Sequence, residues 1–280
     1  MSISVVPIVG LDAASWLVAA VPEFGGTVKQ LMPAGYETYV RVFHRPDQGQ
    51  PDGESATSWA EVARRHGTEL HPEAQWTALT GGRQGSPHHT GPEAPTDEPN
   101  TGSLDPMQLE RLSVLLAAHT TTPEQCHYAL WEGTGKSPRS WDRAPRFRLP
   151  GRTHWLFAPV DVAEIPECSV ELEVSGYEER ARATDGIRRL VVLGRPKRRQ
   201  GSHDWVVRRQ REHGFVQSPS WWWPEDRAWV VHSEVDYDST LIGGTRALAD
   251  ALVSDPGLEC LEVTPTTSLT AHADQLNHTD

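Results

Sequence analysis

Two hydrophobic periods alternate along this chain, and the switches between them mark its elements. In residues 36–43, Tyr36, Thr38, Val40 and Val42 fall on one side and Glu37, Tyr39, Arg41 and Phe43 on the other, the period of two that defines a strand. Residues 169–174 alternate in the same way, with Val170, Leu172 and Val174 opposite Glu171 and Glu173. Short apolar runs at 126–131, 147–149, 154–160, 190–193 and 258–263 predict further strands in a meander. The helical period appears at 12–21, where Asp12 is the expected cap and Trp16, Leu17, Ala20 and Val21 share a face. It returns at 58–66, where Ser58 and Glu61 have the spacing of a capping box ahead of Trp59, Val62 and Ala63. Asp105 followed by Pro106 opens the clearest helix, with Leu109, Leu112, Leu115 and Leu116 as its buried stripe. Thr245 caps a last helix carrying Leu248, Ala249, Leu252 and Val253.

Strands and helices are interspersed without a regular βαβ rhythm. The pattern predicts an α+β fold, a mainly antiparallel sheet with three to four helices packed against it. A single domain is expected over 1–263. It carries a disordered loop near 81–103, rich in Gly, Pro, Ser, Thr and acid, and a basic insertion near 195–211. Residues 264–280 read as a polar, frayed tail.

Composition changes this picture in two ways. Apolar residues make up only 37%, while 11 tryptophans supply bulk that the aliphatic side chains do not. The net charge of −12 disfavours binding to nucleic acid or to an anionic membrane surface. The arginines of 195–211 around Trp205 are the one local exception, read as a surface insertion. No apolar stretch approaches the roughly 20 residues of a membrane-spanning helix. The three cysteines, Cys126, Cys168 and Cys260, form no Cys-x-x-Cys pair, which points to a reducing, cytoplasmic setting.

Candidate chemistry concentrates in 221–244, where the densest aromatic run, the best strand and the densest acidic cluster adjoin. A strand over 227–236 puts Trp229, Val231, Ser233 and Val235 on one face. On the other it aligns His232, Glu234 and Asp236, with Asp238 continuing the row. Imidazole beside carboxylates can hold a divalent metal or move protons, so these three are the candidate catalytic and metal-ligating residues. The simpler reading is a solvated sheet face. Trp222 and Trp229, with Asp238, are the candidate partner-binding residues, because an exposed indole makes a hot spot. Gly243-Gly244-Thr245 ahead of a helix has the outline of an anion cradle but lacks the lysine of a P-loop, and its glycines suit a tight turn. The pair His88-His89 sits in the loop and reads as solvated.

The segment Trp223-Pro224-Glu225-Asp226-Arg227-Ala228-Trp229, the run from Glu234 to Gly244, and Thr122-Pro123 with Leu130-Trp131-Glu132-Gly133 resemble a family of actinobacterial hypothetical proteins. The resemblance covers about a fifth of the chain and implies no activity, so it assigns no catalytic residue. The expected function is a non-catalytic binding or interaction protein, meeting a protein partner or small ligand at a groove edged by Trp222, Trp229 and the 81–103 loop. No cofactor is expected under that reading. The alternative is a metal-assisted hydrolase or nuclease built on His232, Glu234 and Asp236.

Overall fold

The computed structural model describes residues 10–46, 58–81, 98–134, 144–168, 170–171, 191–192 and 216–277. His88-His89 and the basic 195–211 segment lie outside them. The fold is α+β, built on an eight-stranded antiparallel sheet. In chain order its strands are β1 (Thr38–Phe43), β2 (Cys126–Trp131), β3 (Arg146–Leu149), β4 (Arg152–Val160), β8 (Trp221–Pro224), β9 (Val230–His232), β10 (Ser239–Gly244) and β11 (Cys260–Val263). In space they run β11-β1-β10-β9-β8-β2-β4-β3, so β11 and β3 are the edges. Three two-residue strands, β5 (Val170–Glu171), β6 (Val191–Val192) and β7 (Val216–Gln217), make a separate small sheet.

The helices form where local chemistry specifies them. In α3 (Trp59–His66) the Ser58 side chain accepts from the Glu61 amide, and Gly67 closes the helix in the left-handed region at φ 71°. Asp105 accepts from the Met107 and Gln108 amides at the start of α5 (Pro106–Ala117), with Pro106 in the first turn. Thr245 accepts from the Leu248 amide of α6 (Arg246–Val253). In α1 (Asp12–Ala20) the N-cap is Leu11 rather than Asp12, and no side chain caps it. The short helices α2 (Val28–Leu31) and α4 (Trp76–Leu79) complete the set.

The sheet is covered on both faces. Trp222, Trp229, Val231 and Ile242 point to one side, against Leu109, Leu112 and Leu116 of α5 and Leu248 and Leu252 of α6. Trp221, Trp223, Val230 and Leu241 point to the other, against Leu17 of α1 and Val28 and Leu31 of α2. A third cluster wraps Phe43 at the end of β1 with Trp59, Val62, Trp76 and Leu79 of α3 and α4. The triple tryptophan therefore splits by alternation, as strand geometry requires, but all three rings are buried. Core packing, the expected role for these rings in a chain poor in large apolar residues, holds for all three, because helices cover both faces of the sheet here.

Two segments are more ordered than their composition suggests. Residues 264–277 are no frayed tail: Leu269 is 1% exposed, Thr27 and Ser268 form an antiparallel bridge, and the Lys29 amide donates to the Pro265 carbonyl. The described end of the long loop, 98–103, is anchored too. Gly102 (φ 72°) packs so closely on the backbone of Val235 that a Cβ would lie 2.6 Å from its Cα, and its amide donates to the Tyr237 carbonyl at 2.8 Å.

Candidate functional site

The row expected on one long strand is broken by geometry. The strand ends at His232, and 234–237 form a turn closed by the Tyr237 amide donating to the Glu234 carbonyl. His232 lies directly opposite Trp221 on β8, and the two rings stack at 3.7 Å. Its Nδ1–H donates to the Leu31 carbonyl at 3.0 Å, which leaves Nε2 as the acceptor nitrogen, 3.8 Å from Glu234. Burial holds the imidazole well below its ordinary pKa, and His154 adds to the effect.

An arginine that the pattern did not reveal occupies the place a cation would take. Arg152 Nη2 donates to Glu234 at 2.6 Å and to Asp236 at 2.5 Å, and its Nε donates to Glu234 at 3.0 Å. Its guanidinium also lies over the rings of Phe24 and Trp131. Burial pushes the Glu234 carboxyl up, against the pull of Arg152. Among the described residues no group of three or more His, Cys, Asp or Glu side chains is placed to hold a metal ion. Arg152 thus takes both the buried Glu234 and the exposed Asp236, with the neutral His232 ring beside Glu234, in contrast to the metal-ligating row that alternation suggested. The space beside Arg152, His232 and Glu234 is about 10 Å³, no more than one water fills.

The expected partner-binding residues are corrected in the same way. Trp222 and Trp229 are both 0% exposed and meet edge to face at 5.4 Å, with Trp229 Nε1 donating to the Leu116 carbonyl. They are core, because α5 and α6 cover that face. Asp238 pairs with Arg41, a β1 residue 1% exposed, at 3.3 Å. Arg41 also donates to the Pro72 and Ala74 carbonyls and to Ser239 Oγ, so the pair ties the β10 start to the α4 segment. Gly243 and Gly244 lie inside β10 rather than in a turn. A Cβ would stand 2.8 Å from the Tyr36 ring at Gly243 and 2.7 Å from Leu248 at Gly244, and the α6 N-terminus already receives the Glu37 carboxylate on the Arg246 amide.

A cleft of about 360 Å³ lies elsewhere, lined by Gly10, Asp12, His127, Trp223, Glu225 and Arg227. Three distant segments build it: the first turn of α1, β2, and the β8–β9 hairpin turn. His127 on β2 lies opposite Trp223 on β8, and their rings stack at 5.7 Å. The same face carries two more histidine–aromatic cross-strand pairs, Trp221 with His232 and Phe147 with His154. His127 Nε2 lies 2.5 Å from Glu225, while its Nδ1 is buried without a hydrogen-bond partner. The consistent tautomer carries the proton on Nε2 and donates it to Glu225, since a bare lone pair costs less than an orphaned N–H.

The hairpin turn is held rigidly. The Asp226 carboxylate accepts from the Thr120 and Thr121 hydroxyls, the Thr121 amide and the Ala228 amide. Burial raises the Asp226 pKa, but these hydrogen bonds from Thr121, Ala228 and Thr120 outweigh it and hold the carboxyl below its usual range. The Glu225 amide donates to the Gln125 carbonyl, and the Tyr36 hydroxyl donates to the Arg227 carbonyl. Arg227 adopts φ 54°, the only positive φ outside glycine among the described residues, and its guanidinium lies 5.0 Å over the Trp16 ring. Sequence reasoning missed Asp12, His127, Glu225 and Arg227. The only local signal was a charged turn between two tryptophan-rich strands.

All three cysteines are free thiols. Among the described residues no helix is long and apolar enough to cross a membrane. Comparison with family models, curated proteins and solved structures finds no match.

Proposed function

We propose that this chain is a non-catalytic binding protein that receives a small polar ligand in the cleft between α1 and the β8–β9 hairpin. The observation that carries the reading is the rigid presentation of Arg227. A non-glycine residue in the left-handed region costs about 1 kcal/mol, which the surrounding structure must offset. Such strain, in a turn whose neighbours are all hydrogen-bonded, serves to fix a side chain in a set position. A cleft of about 360 Å³ falls at the small end of ligand sites, which run from about 300 to 1,000 Å³. Pre-ordering its rim spares a ligand the entropy of ordering it.

The test is a fragment screen by two-dimensional NMR on the full chain, read at the His127 ring and the Trp223 and Trp16 indoles. Fragments that bind here shift those signals. The variant Arg227→Gly accepts the same backbone and keeps stability within about 1 kcal/mol of the parent, yet it should lose those fragments. A screen with no hit at these signals, or hits untouched by Arg227→Gly, sinks the reading.

A further inference from the structure

Asp12 and Arg227 line one cleft with opposite charges, and neither is spent. Among the described residues neither the Asp12 carboxylate nor the Arg227 guanidinium has a hydrogen-bond or ion-pair partner; the guanidinium lies over the Trp16 ring and its charge also acts on the Tyr36 hydroxyl. Elsewhere exposed charges of this protein pair readily: Arg65 with Glu61, Arg246 with Glu262. Here Asp12 and Arg227 form no such pair with each other. Asp12 sits in the first turn of α1, and Arg227 in the β8–β9 turn with its guanidinium stacked on the Trp16 indole. Glu225 adds a second carboxylate to the lining of the cleft, bonded to His127.

We infer that the cleft takes a zwitterion of amino-acid size, with its carboxylate on Arg227 and its ammonium on Asp12 beside Glu225. This rests on the small-ligand reading above and names the ligand class for that site. A guanidinium binds a carboxylate in a fork geometry that a lone ammonium cannot supply. An ammonium set between two carboxylates is charge-complementary, whereas an anion there is repelled. A ligand carrying one charge alone leaves one of the two side-chain charges unpaired, so specificity comes from needing both.

The experiment compares L-alanine with ethylammonium, which lacks its carboxylate, and propionate, which lacks its ammonium. The other common α-amino acids extend the panel. Each is titrated into the full chain with the same NMR signals as readout. An α-amino acid should bind at least tenfold tighter than either single-charge probe. Arg227→Gly should erase the preference over ethylammonium, and Asp12→Asn should erase the preference over propionate. Equal binding of ethylammonium or propionate, or no α-amino acid binding at all, overturns the zwitterion assignment. The small-ligand reading then stands or falls separately on the fragment screen, since other fragments can still shift His127 and Trp223. Amino-acid binding that survives both variants also overturns it.

Discussion

At the scale of single residues, the buried charges are arranged around arginines. Arg152 serves Glu234, which is 5% exposed, so Arg152→Met leaves a carboxylate in the core with no cation. Breaking one side of a buried pair costs about 3–5 kcal/mol. The partial exposure of Arg152 and the solvated Asp236 bring the expected loss to about 2–3 kcal/mol, read as a lower urea midpoint at unchanged slope. Restored stability in the double variant Arg152→Met with Glu234→Leu would identify the stranded charge as the cause. His154 makes a different point. Its Nδ1 is buried without a partner, and burial drives its pKa down to about 3, with Arg152 adding to the effect. The variant His154→Phe should keep the stack on Phe147 and remove one proton from the acid titration of stability.

At the scale of elements, the legible parts were those specified locally. The starts of α3, α5 and α6 were readable because Ser58, Asp105 and Thr245 cap them within three residues of chain. Replacing Asp105 by alanine should cost about 1 kcal/mol in thermal or chemical unfolding. The phase of β9 was readable as well: Val231 and His232 face opposite ways, as alternation required. Its length was not, because the turn at 234–237 keeps the strand-like spacing of its acids. Whether a polar face is wet or covered depends on helices far away in sequence, and alternation carries no record of them. The cleft was invisible for the same reason, since Asp12, His127 and Arg227 belong to three remote segments. Its rim makes a further prediction. Asp226→Ala removes hydrogen bonds to both Thr120 and Thr121, so it should loosen the hairpin turn. Ligand affinity should fall by about tenfold for the roughly 1.4 kcal/mol of ordering it restores, while the global unfolding midpoint moves less.

At the scale of the whole molecule, three histidines are held neutral in the interior. Burial takes His44 to about 4 and His154 to about 3, and holds His232 well below its ordinary value. A base whose folded pKa is depressed binds its proton in the unfolded chain first. Stability is therefore full above about pH 6.5 and falls as the pH drops toward the folded values, by about 1.4 kcal/mol per pH unit for each histidine. Burial raises Glu234, Asp238 and Glu259, which acts in the opposite sense and offsets part of the loss at the acid end. Urea unfolding between pH 7 and 5 should show a slope of several protons, reduced by one in His154→Phe. A flat profile over that range would contradict the neutral, buried assignment.

The place of β1 in the sheet governs how the chain reaches this structure. The strand Thr38–Phe43 is flanked by β10 and β11, whose residues come about 200 positions later. At about 5–20 residues per second of synthesis, β1 waits about 10–40 s for its neighbours. The hairpin β3–β4 and its partner β2 need no such delay. Folding should thus proceed from the β2–β4–β3 side, with the β10–β1–β11 half closing last. Pairings of such long sequence separation are slow to form, and they leave β1 with two open edges during the interval when a nascent chain is most exposed to aggregation.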